Sequence, residues 1–283
     1  MSDLELPGDQ SRPTREGLPS SYRMRADEHY VDFLASRGTD EESPQAVPAD
    51  PGRPGETERD AASSRTSQVT PQVSDVLARS VSTATSLAEL LSGPLSDLSR
   101  AGVGTLLRAE LFRASSLVQA ARVVHGELPL MRGAVAVAAL IDRVLHDFGP
   151  ERRLRHVDIT PHVDLPPGHI VVADERLLTA AVGASLFATF ALLEGLPASR
   201  MVLVAGLTAG RQLTLVASQD HVLPTQAWAA RAFDAGWTDR PGGTGVVLAM
   251  AALQQVARAH GGDAQVTLSP RGTRIGLTIP AGV

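Results

Sequence analysis

The chain contains no cysteine, no lysine and no asparagine. The first absence excludes a disulfide framework and any thiolate metal site. The other two exclude every mechanism that needs a side-chain ammonium or the amide of an asparagine. All 26 basic residues are therefore arginine. High alanine, glycine and valine content accompanies them, so the arginine excess reads as coding bias and carries no functional weight. Strong charge of one sign is also missing: the net charge is −5, which gives no footprint for nucleic acid. No run approaches the ~18 apolar residues of a membrane span, and the N-terminus lacks a basic-then-apolar signal. The expectation is a soluble, cytoplasmic protein without a membrane span. None of the histidines has the H-x-x-x-H or carboxylate spacing of a zinc site, and no G-x-S-x-G nucleophile pattern occurs. No metal site is expected.

What is present divides into three parts. Residues 1–72 read as a disordered, acidic, proline-rich arm. The first seventy residues hold 7 of the 19 prolines and carry 14 acidic side chains against 8 arginines. Such a segment cannot bury enough apolar surface to offset its ordering entropy. One island within it, 21–36, concentrates Met24, Tyr30, Val31, Phe33 and Leu34. It reads either as a short helix docking on the protein's own body or as a partner-binding motif that folds on contact. Residues 73–127 read as two antiparallel helices. The first runs near Ser74–Leu98 with Pro94 inside it, the second near Leu106–Val124, with a link at Ala101–Gly104. Two copies of such a hairpin would bury their apolar faces as a four-helix bundle; alternatively the hairpin packs on the downstream domain. Residues 128–283 alternate apolar strands and helices. They include Val157–Thr160, Ile170–Ala173, an apolar helix from Asp174 to Glu194, and strands at Met201–Ala205 and Gln212–Ala217.

The most informative stretch is Pro241–Gly262. It opens on Gly242, Gly243, Thr244 and Gly245, continues as an apolar helix, and closes on Gly261-Gly262. A glycine-rich turn feeding a helix N-terminus is an anion site in waiting, because free N–H groups and the positive dipole end point the same way. Two short strands, Ala264–Leu268 and Arg274–Ile279, follow around Ser269-Pro-Arg-Gly272.

Loop, helix, His260-Gly-Gly, hairpin and terminal Pro280 resemble the last third of the ATP-binding domain of bacterial histidine kinases. The order upstream extends the resemblance to about residues 75–283: a hairpin, a linker from His125, a strand and helix at Val135–Phe148, and a helix that begins with Asp174 and carries Arg176-Leu177. The resemblance implies an α+β fold. A helical dimerisation hairpin would precede an α/β sandwich with a mixed sheet and helices on one face. It also implies an ATP site, and there the residues depart from the pattern. Val247 stands where the family has the last glycine of its loop. The family's adenine-binding carboxylate falls on Ser218, in the stretch Ser218–Val222, which reads as an exposed loop. The Mg²⁺-binding asparagine should lie within Gly183–Thr189, and the chain has no asparagine. Ser185 and Thr189 there are expected to bond back to their own helix. Only four residues separate Trp237 from Gly242, so the family's long lid is absent or very short. The acceptor histidine falls on Glu89, in Glu89-Leu-Leu-Ser-Gly-Pro94, and no histidine lies between His29 and His125.

The reading is a non-catalytic, histidine-kinase-like scaffold in two-component signalling. It is expected to be a homodimer that binds a response-regulator receiver domain or another kinase, with no cofactor. Three alternatives stand beside it. One is a phosphotransfer protein using His125, and another is a divergent kinase that does bind ATP and Mg²⁺. The third is an unrelated α/β binding protein.

Overall fold

The computed structural model describes residues 56–126, 129–196, 198–208, 210–221, 224–234, 243–269 and 272–282; side chains are described from residue 74 onward, Thr244 excepted. The chain divides into two units, 1–47 and 48–283, and the first lies outside the described residues. So do the island at 21–36, Gly242 and the stretch expected to hold the lid.

Helix α1 spans Glu56–Ser92 and α2 spans Asp97–Val124. Two expectations are corrected here. The first helix begins inside the stretch assigned to the arm, and the link lies at 93–96 rather than at Ala101–Gly104. Capping explains the second difference. Pro94 cannot donate a backbone hydrogen bond and falls in the break rather than in a helix. Ser96 then caps α2 by accepting the Ser99 N–H at 3.2 Å, with Asp97 in the first turn. Gly102 and Gly104 sit inside α2 with nothing near their missing side chains. They cost that helix about 1 kcal/mol each, which capping and packing outweigh.

Strand β1 (Gly133–Ala136) leads into α3 (Val137–Asp147), followed by α4 (Gly149–Arg155), β2 (Val157–Asp164) and β3 (Ile170–Ala173). Helix α5 (Glu175–Leu192) precedes β4 (Ser199–Leu207) and β5 (Gln212–Gln219). The short α6 (Gln226–Arg231), then α7 (Gly243–Ala259), β6 (Asp263–Ser269) and β7 (Gly272–Pro280) complete the fold. The main sheet has the order β2-β4-β5-β7-β6, with β2 parallel to β4 and the other pairs antiparallel. Strands β1 and β3 form a separate antiparallel pair. This is the α+β fold with a mixed sheet that the sequence implied.

One face of the sheet is the floor of the core. Leu203 and Ala205 of β4, Leu213, Leu215 and Ala217 of β5, and Ile275, Leu277 and Ile279 of β7 alternate onto it. Helices α3, α5 and α7 cover it with Ile141, Leu178, Leu186, Met250 and Leu253. Gly276 of β7 lies so close to β5 that a methyl there would sit 2.2 Å from the Leu215 carbonyl oxygen. Helix α7 ends as expected: Gly261 takes φ +75°, the Gly262 N–H reaches the Ala257 carbonyl, and β7 passes directly beneath Gly262.

Helix α5 is long and apolar enough by composition to cross a bilayer, against the expectation that no such segment exists. Most of its residues are buried inside the domain, where it forms the central core helix.

Candidate functional site

The glycine loop opens α7 beside α5. Gly243 adopts φ +61°, a conformation that glycine takes at little cost. Two residues on, Gly245 faces apolar side chains. A methyl built on it would lie 3.2 Å from Phe187 of α5 and 3.5 Å from Leu117 of α2. The hairpin thus lies over the loop. Around this point α2, α3, α5 and α7 line a partly open cavity of about 200 Å³. Phe112, Leu117, Phe148 and Phe187 form much of its wall, and Gly183 of α5 faces in beside them.

The polar groups near it are mostly engaged. Ser116 donates to the Phe112 carbonyl and Thr179 to the Glu175 carbonyl. Arg176 binds the Asp174 carboxylate at 3.1 Å and the Pro129 carbonyl at 3.2 Å. Ser185 and Thr189 bond back to Val182 and Ser185 of their own helix, each at 2.8 Å, as expected. Along α5 the cavity is lined by Arg176, Thr179, Ala180, Gly183, Ala184 and Phe187, and the one hydroxyl among them, on Thr179, already donates to its own helix. Among the described residues no group of three His, Asp or Glu side chains could hold a metal ion. These residues do not fit a phosphate chain with Mg²⁺, which needs oxygen ligands in near-octahedral array.

The other sequence-predicted positions do not join this cavity. Ser218 does not lie in an exposed loop. It is a buried residue of β5, paired with Val202 and Arg274. Alternation with Leu215 and Ala217 puts its side chain on the face opposite the helices. The helix-facing polar group at that strand end is Gln219, whose Oε1 accepts the His221 N–H at 2.7 Å. Sequence reasoning passed over it, although the period-two pattern of Gln212–Ala217, extended by two residues, would have found it. Glu89 is exposed in the last turn of α1. His125 caps the C-terminus of α2 and is exposed.

Two polar clusters hold the walls in place. Glu151 of α4 is buried, forms an ion pair with Nε of Arg113 on α2, and accepts a hydrogen bond from its Nη2 at 3.1 Å. Arg155 reaches the same carboxylate at 3.3 Å, and Glu110 meets Arg113 at 2.9 Å. Burial alone would lower the Arg113 pKa; the hydrogen bond and charge of Glu151, with Glu110, outweigh it and hold the guanidinium above its ordinary range. Beside this latch, the rings of Phe112 and Phe148 meet edge to face at 4.6 Å.

The second cluster centres on Asp174. Its carboxylate caps α5 through the Arg176 and Leu177 amides and accepts the Met131 N–H at 2.7 Å. Burial pushes the Asp174 carboxyl up, but the Arg176 side chain and the Met131 and Leu177 amides together hold it below its ordinary value. The Asp174 amide in turn donates to His260 Nε2 at 3.0 Å, while Nδ1 lies 2.8 Å from the Val256 carbonyl. Nε2 must be bare to accept, so the buried ring is the neutral Nδ1–H tautomer. His260 thereby ties the end of α7 to the start of α5.

Neither a protein-family model nor a curated protein matches the sequence. Solved structures do. The chain superposes on full-length ShkA in complex with AMPPNP with a TM-score of 0.51 at 18% identity, over 77% of this chain and 46% of that one. It superposes equally, at 0.51, on the histidine kinase ThkA in complex with response regulator protein TrrA. There the identity is 14%, over 80% of this chain and 65% of ThkA's. The fold is that of a histidine kinase. The chain spans less than half of ShkA and just under two thirds of ThkA. Within this histidine-kinase-like fold, α1 and α2 supply the hairpin, and the rest of the described residues form the α/β domain.

Proposed function

We propose that this chain is a non-catalytic signalling or scaffold protein that uses a histidine-kinase-like fold to bind another protein. The observation that carries the proposal is the apolar surroundings of Gly245. Where a nucleotide's phosphates would need donors and a metal, Phe187 and Leu117 lie instead. Burying an unpaired charge against such groups costs several kcal/mol, far more than the loop's N–H groups return. The lack of any asparagine and the placement of Ser218 on the sheet face opposite the helices support the same reading.

The partner surface is the hairpin. Leu98 is 85% exposed, and Val81, Leu90 and Leu111 are each more than half exposed. Apolar side chains in such numbers on one helical pair call for a cover. A second copy pairing into a four-helix bundle supplies it, and ThkA's capture with a response regulator motivates a receiver domain as the further partner. The test is isothermal titration of the full chain with Mg·ATP. The proposal expects no heat of binding at micromolar concentrations. A saturable micromolar isotherm would defeat it and return the chain to the working kinases.

A further inference from the structure

The cavity beside Gly245 is a consequence of small residues on one face of α5. Ala180, Gly183 and Ala184 recur at helical spacing and meet Phe112 and Leu117 across a gap of about 200 Å³. The gap is open for filling: a methyl on Gly183 would find its nearest neighbour, the Phe148 ring, at an ordinary 3.8 Å. The deep wall is aromatic and aliphatic, and its hydroxyls are tied to backbone carbonyls. The rim is different. Ser115, Gln119 and Asp147 are exposed there. An apolar cavity of about 150 Å³ stays dry and takes up benzene in other proteins, because water inside finds no partners. This one is of similar size but opens to solvent at its rim, with three phenylalanines around its deep end.

We propose that the cavity between α2, α3, α5 and α7 binds a small, neutral aromatic molecule of one or two rings. Its flat body would lie among Phe112, Phe148 and Phe187, and a polar substituent would point outward to Gln119 and Asp147. Charge is disfavoured: an anion would be desolvated against apolar side chains and meet the Asp147 carboxylate at the rim, while Arg176, the cation in the lining, is already bound to Asp174. The walls come from both the hairpin and the α/β domain. An occupant therefore binds only the docked arrangement and stabilises it by mass action. The cavity lies between the hairpin and the α/β domain, away from the outer face offered to a protein.

The test uses indole as the probe and the full chain, followed by saturation-transfer NMR and by melting temperature. Wild type is expected to give a saturable one-site isotherm and a rise in Tm. Ala184→Leu fills the cavity, and it is expected to weaken indole about tenfold or more while raising the Tm of the free protein. If Ala184→Leu does not fold, Ala180→Leu gives the same readout from the next turn. The anion indole-3-acetate is expected to bind about tenfold more weakly than indole. Non-saturable uptake, an unchanged affinity in the filled variant, or equal affinity for the anion would overturn the proposal. Mg·ATP plays no part in this titration, so its outcome is separate from the test of nucleotide binding.

Discussion

Replacing Glu151 with leucine tests whether the hairpin is latched to the α/β domain. The carboxylate is buried and serves Arg113 and Arg155 at once. Without it, Arg113 keeps only Glu110 as a charged partner. Removing one member of a fully buried pair costs about 3–5 kcal/mol. The Arg113 side chain retains 29% exposure, so water recovers part of that loss, and about 2–3 kcal/mol is the expected value. In a domain of this size that lowers Tm by roughly 4–10 °C. The decisive comparison is a double-mutant cycle with Arg113→Met, read by urea unfolding of the full chain. Two well-packed apolar side chains often replace a buried ion pair at little cost. The double variant should therefore be more stable than Glu151→Leu alone, with a coupling of about 2 kcal/mol. A coupling below about 0.5 kcal/mol, within the error of independent sites, would show that the latch contributes nothing and that apolar packing alone holds α2 in place.

Three further outcomes are expected. The Asp174 carboxyl is held below its unfolded value, so its stabilisation is complete above the ordinary range near ~3.9 and fades as pH falls through the lower folded value. The Tm advantage of wild type over Asp174→Asn should shrink on acidification below about pH 4, and a constant difference would refute this assignment. Gly276→Ala places a methyl 2.2 Å from the Leu215 carbonyl oxygen. It should cost about 3 kcal/mol or prevent folding, a loss that circular dichroism melts would show and that a wild-type Tm would contradict. Incubation with a phosphorylated receiver domain should leave no acid-labile phosphate on His125; its appearance there would favour the phosphotransfer reading.

Much of the α/β domain was legible in the residues themselves. Helix α5 announced itself by Asp174 at its cap, and α7 by glycines at both ends. Strands β5 and β7 showed as apolar runs bounded by turn residues. These signals are local: a cap, a left-handed glycine or a period of two acts within a few residues and needs no partner. The hairpin boundary was misplaced because Gly102 and Gly104 suggested a break, whereas Pro94 and the Ser96 cap made one. Ser218 was misread because a strand end was taken for a loop, which also hid Gln219. The missing asparagine needed no structure at all, since an absent side chain is absent in every fold. What covers Gly245 could be learned only from the tertiary structure. Phe187 and Leu117 are unremarkable apolar residues in their own helices, and nothing local marks either as a neighbour of the glycine loop. The same holds for Glu151, which reads as an ordinary charged residue until α2 packs on α4 and brings Arg113 to it. Sequence determined which chemical groups this protein has to work with; long-range packing decided which of them face one another, because burial, not propensity, sets those contacts.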